Sequence, residues 1–202
     1  MALRDHYFQP WSILEAGLFA AGLLCVRDRR YRLLALVVAL ASLNRETAIF
    51  IPLALFFAVA GSKGEDGAGF PGGGKALLLF VGYVAIWAAA FFGMRTLLGD
   101  APRVVTVEEL LARNTISPAI FRTAVHLALI FGAFWIFAVA GFRRAPEFVK
   151  RTTLIAPLYL AAVALWGVWY EVRLLMPLYA IVIPLGLSSL YRGRDASLRP
   201  DP

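Results

Sequence analysis

LLALVVALASLNRETAIFIPLALFFAVAG, residues 33–61, is an apolar run with four polar residues, Asn44 to Thr47, near its middle. As one continuous α-helix it would be about 43 Å long. The hydrocarbon core of a bilayer is only about 30 Å thick. An arginine and a glutamate at membrane depth are costly, and such residues face a cavity or one another rather than lipid. Two readings compete. One is a single kinked helix. The other is a hairpin of two short arms, 33–43 and 48–61, with "NRET" at its tip.

The rest of the chain supplies the setting. Of 202 residues, 60% are hydrophobic and 16% charged, with a mean hydropathy of +0.73. A soluble domain averages about 45–50% apolar and about 25% charged. Further apolar runs cover 9–26, 76–99, 119–141, 153–170 and 174–190. The expectation is an all-α, polytopic transmembrane helical bundle of about five full spans plus one short helical hairpin, forming one domain over 1–202. The Gly-rich stretch 62–75 reads as a flexible linker. Residues 100–118 read as a polar loop. Thr106 and Glu109 there have capping-box spacing, which predicts a short surface helix over 107–113. The tail 191–202 is polar and expected to be disordered.

Charge decides between the two readings of 33–61. The net charge is +7, and the arginines and lysines cluster at 27–32, 142–152 and in the tail. Cytoplasmic loops are enriched in these residues. With all three clusters cytoplasmic, 33–61 must begin and end on the same side, which a hairpin does and a single crossing does not. The linker 62–75 and the C-terminus are then cytoplasmic, and 100–118 is extracytoplasmic. The arms would reach roughly 16 and 21 Å, so the tip lies in the outer half of the bilayer. The same distribution discounts nucleic acid as a partner, because the basic residues sit between apolar runs rather than on one face.

With this topology the other embedded polar residues fall at the outer level. Arg95 ends its span. Arg122 begins the next, and His126 lies one turn on, on the same helix face. Glu171 and Arg173 form an outer turn, and Glu15 lies in the outer part of the first span. The candidate phosphate- or substrate-binding set is therefore Asn44, Arg45, Glu46, Arg95, Arg122, His126, Glu171 and Arg173. Arginine suits an anionic headgroup because its planar fork binds phosphate bidentately. Plainer readings stand beside this one. Arg95 and Arg122 snorkel to headgroups. Arg45 and Glu46 form a buried ion pair that fixes packing. Asn44 and Thr47 cap the hairpin arms. His126 is a hydrogen-bonded structural residue, and Glu15 an interhelical contact. The single cysteine, Cys25, allows no internal disulfide. The sequence contains no metal-ligand motif, no evident cofactor motif, no catalytic nucleophile and no internal repeat.

Two segments carry a resemblance. "LNRETAIFIPLALFF" after "RDRRYR", and the closing "YEVRLLMPLYAIVIPL", are similar to elements of bacterial C-type (GT-C) membrane glycosyltransferases and their uncharacterised relatives. The resemblance implies a helical bundle in the inner membrane that uses a polyprenyl-phosphate-linked sugar at the extracytoplasmic face. It implies that Arg45 and Arg173 contact lipid phosphate or pyrophosphate, with Glu46 and Glu171 orienting them. Those enzymes carry an early outer loop with catalytic acids. Here only Asp5 stands near the start, so the chain is expected to match the C-terminal part of such an enzyme. The competing class is a non-catalytic lipid-binding or assembly subunit working with a partner membrane protein, or a piece of a transporter.

Overall fold

The computed structural model describes residues 11–60, 73–99, 131–132, 134–166 and 172–191, with further helical positions at 108, 109, 112, 121, 125, 128 and 129. All regular structure among the described residues is helical. The chain divides into two compact units, Met1–Val104 and Val105–Pro202.

In the first unit, α1 (Trp11–Arg27) is followed by α2 (Tyr31–Asn44). The buried residues of α2 are Leu34, Val37, Val38, Ala41 and Ser42. Their spacing traces one helical stripe, which meets α1 and α4 (Gly73–Leu98). The opposite face holds Leu33, Leu36, Leu40 and Leu43, all exposed. A helix apolar on every side belongs in a protein core or in lipid.

The run 33–61 is interrupted at Arg45. Its backbone is extended, with φ −156° and ψ 152°, and a single 3-10 turn (Glu46–Ile49) leads into α3 (Phe50–Ala60). Pro52 lies in the first turn of α3, where a missing N–H breaks no helical bond. Side-chain contacts give the direction of α3. The Thr47 hydroxyl donates to Glu15, and Ile51, one turn further on, lies against Gly22, two turns further along α1. α3 therefore runs alongside α1 in the same sense, and α2 runs in the opposite sense. Contacts with α4 agree. The Phe56 and Phe80 rings are 5.4 Å apart, and Trp87, further along α4, donates from Nε1 to the Glu46 carbonyl at 3.1 Å.

α4 is 26 residues long, about 39 Å. The most apolar window within Gly74–Leu98 has a mean hydropathy of 2.2, with only 6% of that window buried. Leu78 is 73% exposed and Leu97 83%. Besides the Trp87 bond, the Tyr83 hydroxyl ties α4 to α2 by donating to the Tyr31 carbonyl at 2.7 Å.

In the second unit, the 119–141 run is not one continuous helix. Phe121, Val125, Ala128, Leu129 and Phe131 are helical, but Gly132 takes φ +49°. That left-handed backbone is open to glycine and disfavoured for other residues, and it ends the helix ahead of α5 (Phe134–Phe142). This corrects the expected unbroken span. Next come α6 (Glu147–Thr152), α7 (Ile155–Trp166), a 3-10 segment (Val172–Leu178) and α8 (Tyr179–Tyr191). The stretch Glu147–Leu165, whose most apolar window has a mean hydropathy of 1.4, is the second one among the described residues long and apolar enough to cross a membrane. Glu108, Glu109 and Ala112, within the expected surface helix, are helical and exposed.

α5 and α8 cross closely. A Cβ on Gly141 would overlap the Leu185 carbonyl oxygen and would lie 3.1 Å from the Ser189 nitrogen. Gly186 faces the Phe134 ring. Small residues that let helix backbones approach in this way are the usual basis of packing in lipid, where apolar area alone gives no preference for association. Tyr159 of α7 is fully buried, and its hydroxyl donates to the Leu174 carbonyl at 2.6 Å. Tyr159→Phe removes that donor and leaves the carbonyl unpaired. It is expected to destabilise the fold by about 1 kcal/mol, read as a lower thermal midpoint of the detergent-solubilised protein. An unchanged midpoint would show that the bond contributes nothing net.

Candidate functional site

The polar tip of the broken span is held against α1. Glu15 is 6% exposed and sits on the face of α1 that meets the tip. Its Oε1 accepts from the Thr47 hydroxyl, and its Oε2 lies 3.2 Å from Arg45 Nε. The chain leaves the helical path at Arg45, which brings both Arg45 and Thr47 to one carboxylate. Phe19, Ala41, Ala48 and Ile51 complete the wall of a cavity of about 10 Å³ beside these three residues. That is room for about one water molecule.

A carboxylate removed from water is tolerated when it is paired and hydrogen-bonded. Glu15 has a cation on one oxygen and a hydroxyl donor on the other. Arg45 meets Glu15 through Nε. Its side chain is 19% exposed, and its two Nη groups have no partner among the described residues. The site therefore holds a guanidinium beside a carboxylate, with part of its fork unengaged by the described residues.

The other expected residues are placed as follows. Glu46 is exposed; its backbone carbonyl accepts from Trp87, and its side chain has no ion-pair partner among the described residues. The partner of Arg45 is thus Glu15 of the neighbouring helix. Sequence adjacency suggested Glu46, but the start of a 3-10 turn carries that side chain outward. Asn44 is half-buried as the last residue of α2. Arg95 lies near the end of α4 and is exposed, with its guanidinium carbon 4.1 Å from the centroid of the Phe91 ring. Phe91 itself stacks on Trp87 at 5.3 Å, so an aromatic ladder runs from Arg95 back to the residue that holds the Glu46 carbonyl. Arg122, His126 and Glu171 lie outside the described residues. The backbone of Arg173 belongs to the 3-10 segment Val172–Leu178, and its side chain lies outside them too.

Beyond the capping role that the sequence suggests for Thr47, its hydroxyl donates to Glu15. A signal for it was present. Glu15 and Arg45 stand at nearly equal distances, before and after, from the turn at Arg29. Two antiparallel helices joined by a short turn bring such positions level. Among the described residues no group of three His, Cys, Asp or Glu side chains comes together as a metal site.

No family model, curated protein or solved structure matches the chain.

Proposed function

We propose that this is a multi-pass inner-membrane protein whose hairpin tip holds the phosphate of a lipid-linked sugar at the extracytoplasmic face, as part of a glycosyl-transfer machinery of the kind its sequence resembles. The observation that carries this reading is the guanidinium of Arg45, whose Nε lies 3.2 Å from Glu15 Oε2 and whose Nη pair has no partner among the described residues. A fixed fork of this kind suits phosphate. Glu15 and Thr47 position it. Arg173 and Glu171 are the second arginine–glutamate pair in this proposal. The membrane setting is supported by two helices long and apolar enough to cross a bilayer and by the exposed leucines of α2 and α4. The arginine clusters orient the C-terminus to the cytoplasm.

The test is binding and transfer of a radiolabelled polyprenyl-phosphate sugar by the full chain in nanodiscs. Arg45→Lys keeps a cation beside Glu15 but removes the fork. Binding is expected to fall at least tenfold, in line with the loss of a charge-assisted hydrogen bond. Wild-type binding by a folded Arg45→Lys protein would overturn the role given to Arg45. Binding without transfer would assign the chain to the second class, a non-catalytic lipid-binding or assembly subunit. The pairing of Arg45 with Glu15, which neutralises the cation, favours that class.

A further inference from the structure

Glu46 follows Arg45 at the hairpin tip. Its carboxylate is exposed and has no ion-pair partner among the described residues. A bare carboxylate at membrane depth is costly unless water or a polar partner meets it. The role that adjacency suggested for it, holding Arg45, belongs to Glu15. Its side chain is therefore without a use in the fold as described so far.

The backbone of Glu46 is tied to α4. Trp87 Nε1 donates to its carbonyl at 3.1 Å. Trp87 stands about 21 Å along α4 from Gly73, the depth that charge parity gives the hairpin tip. Around Trp87 the aromatic rings form one ledge. Phe91 stacks on Trp87 with the ring planes 10° apart. Phe92 meets Trp87 edge-on at 6.1 Å and Phe91 edge-on at 5.2 Å. The Arg95 guanidinium lies over the Phe91 ring. Phe92 is 55% exposed, and Trp87 is half-buried. Rings packed on one another in preferred geometries hold each other in place, so a ligand meets a surface already formed.

A flat apolar ledge beside an exposed carboxylate suits a carbohydrate ring. The C–H face of the sugar packs on aromatic rings, and its hydroxyls donate to a carboxylate, which only accepts. Acyl chains would use the rings and leave Glu46 unmatched. A cation would use Glu46, but Arg45 beside it opposes one. In a lipid-linked sugar phosphate the ring is bonded directly to the phosphate. Arg45 and Glu46 are consecutive, about 3.8 Å apart at Cα, so one residue can take each group.

We infer that Glu46, Trp87 and Phe92 form a sugar subsite at the hairpin tip, with the ring resting on Trp87 and Phe92 and its hydroxyls donating to Glu46. The inference rests on the sugar-phosphate reading of Arg45 given above. It adds what that reading lacks, a means of telling a sugar-bearing lipid from one without sugar.

The experiment measures binding of three lipids to the full chain in nanodiscs: polyprenyl-phosphate mannose, polyprenyl-phosphate glucose and the methyl ester of polyprenyl phosphate. All three are phosphodiesters of equal charge, so only the sugar differs. At least one sugar-bearing lipid is expected to bind about tenfold tighter than the methyl ester, the gain from hydrogen bonds to a charged group. Glu46→Ala, at an exposed position, is expected to abolish that ratio. Phe92→Leu, also exposed, is expected to reduce it about threefold. Arg45→Lys is expected to weaken all three lipids and keep the ratio. The ratio is the readout, because removing a negative charge near the phosphate acts on every lipid alike. Sugar-bearing lipids that bind no tighter than the methyl ester would overturn the inference and leave the phosphate role of Arg45 standing. So would a wild-type ratio in Glu46→Ala. Absence of binding by all three lipids would overturn both.

Discussion

Gly141→Ala is expected to lower the stability of the folded protein by about 3 kcal/mol. The new methyl group would meet the Leu185 carbonyl oxygen and the Ser189 nitrogen. Both are backbone atoms of α8, so no rotamer change can make room, and the α5–α8 pair must move apart. Overpacking a close contact typically costs 1–3 kcal/mol, occasionally more. For a chain of this size that corresponds to a fall in the thermal midpoint on the order of 10 °C. Gly82→Ala in α4 is the matched control, because nothing lies within 4 Å of the Cβ it would add. It is expected to leave the midpoint unchanged or to raise it slightly, since alanine is the better helix former by up to about 1 kcal/mol. Equal effects from the two substitutions would mean that α5 and α8 do not cross at Gly141 as described. Gly186→Ala should fall between them, because its neighbour is the Phe134 ring and a side chain can turn aside.

Glu15→Ala is expected to be of similar size, about 3 kcal/mol, for an electrostatic reason. Breaking a buried ion pair leaves the surviving charge without compensation, which typically costs 3–5 kcal/mol. The lower end applies because Arg45 retains 19% exposure and can turn partly toward solvent. Thr47 loses its acceptor at the same time. Glu15→Gln should cost less, because the amide oxygen still accepts from Thr47. A double-mutant cycle isolates the pair. Glu15→Ala/Arg45→Ala should be more stable than the sum of the single effects predicts, by roughly 1–2 kcal/mol, within the range seen for contacting residues. Strict additivity would show that the two side chains do not interact in the folded state. The cycle also separates folding from binding. A destabilised Glu15 variant that still binds lipid-linked sugar would remove Glu15 from the site and leave it a packing residue.

The two substitutions probe features of different legibility. The position of the polar break was plain from the sequence. Four polar residues inside an apolar run too long for one crossing must end or bend a helix, and Asn44 to Thr47 do so. The helical class was equally plain, because apolar runs of this length satisfy their backbone groups in lipid only as helices or closed barrels, and these runs lack the alternation of barrel strands. The expected pair of Arg45 and Glu46 was a weaker inference, because it relied on adjacency. Neighbouring residues on a turn point in different directions, and the partner that completes an ion pair is set by which helix packs alongside.

Composition, charge clusters and the length of the apolar runs thus determine a helical chain with a break at 44–47, since these properties are local and additive along the sequence. Tertiary structure decided what meets at the break and how closely helices approach. Glu15 joins Arg45 and Thr47 because α1 and α2 lie antiparallel across the turn at Arg29. Gly132 ends a helix because it takes a left-handed backbone, one of several conformations open to any glycine. Gly141 is indispensable because the backbone of α8 crosses it, whereas Gly82, in an equally apolar helix, has open space around it. Both glycines read alike in sequence, and only the neighbour brought against each one by packing gives it a role.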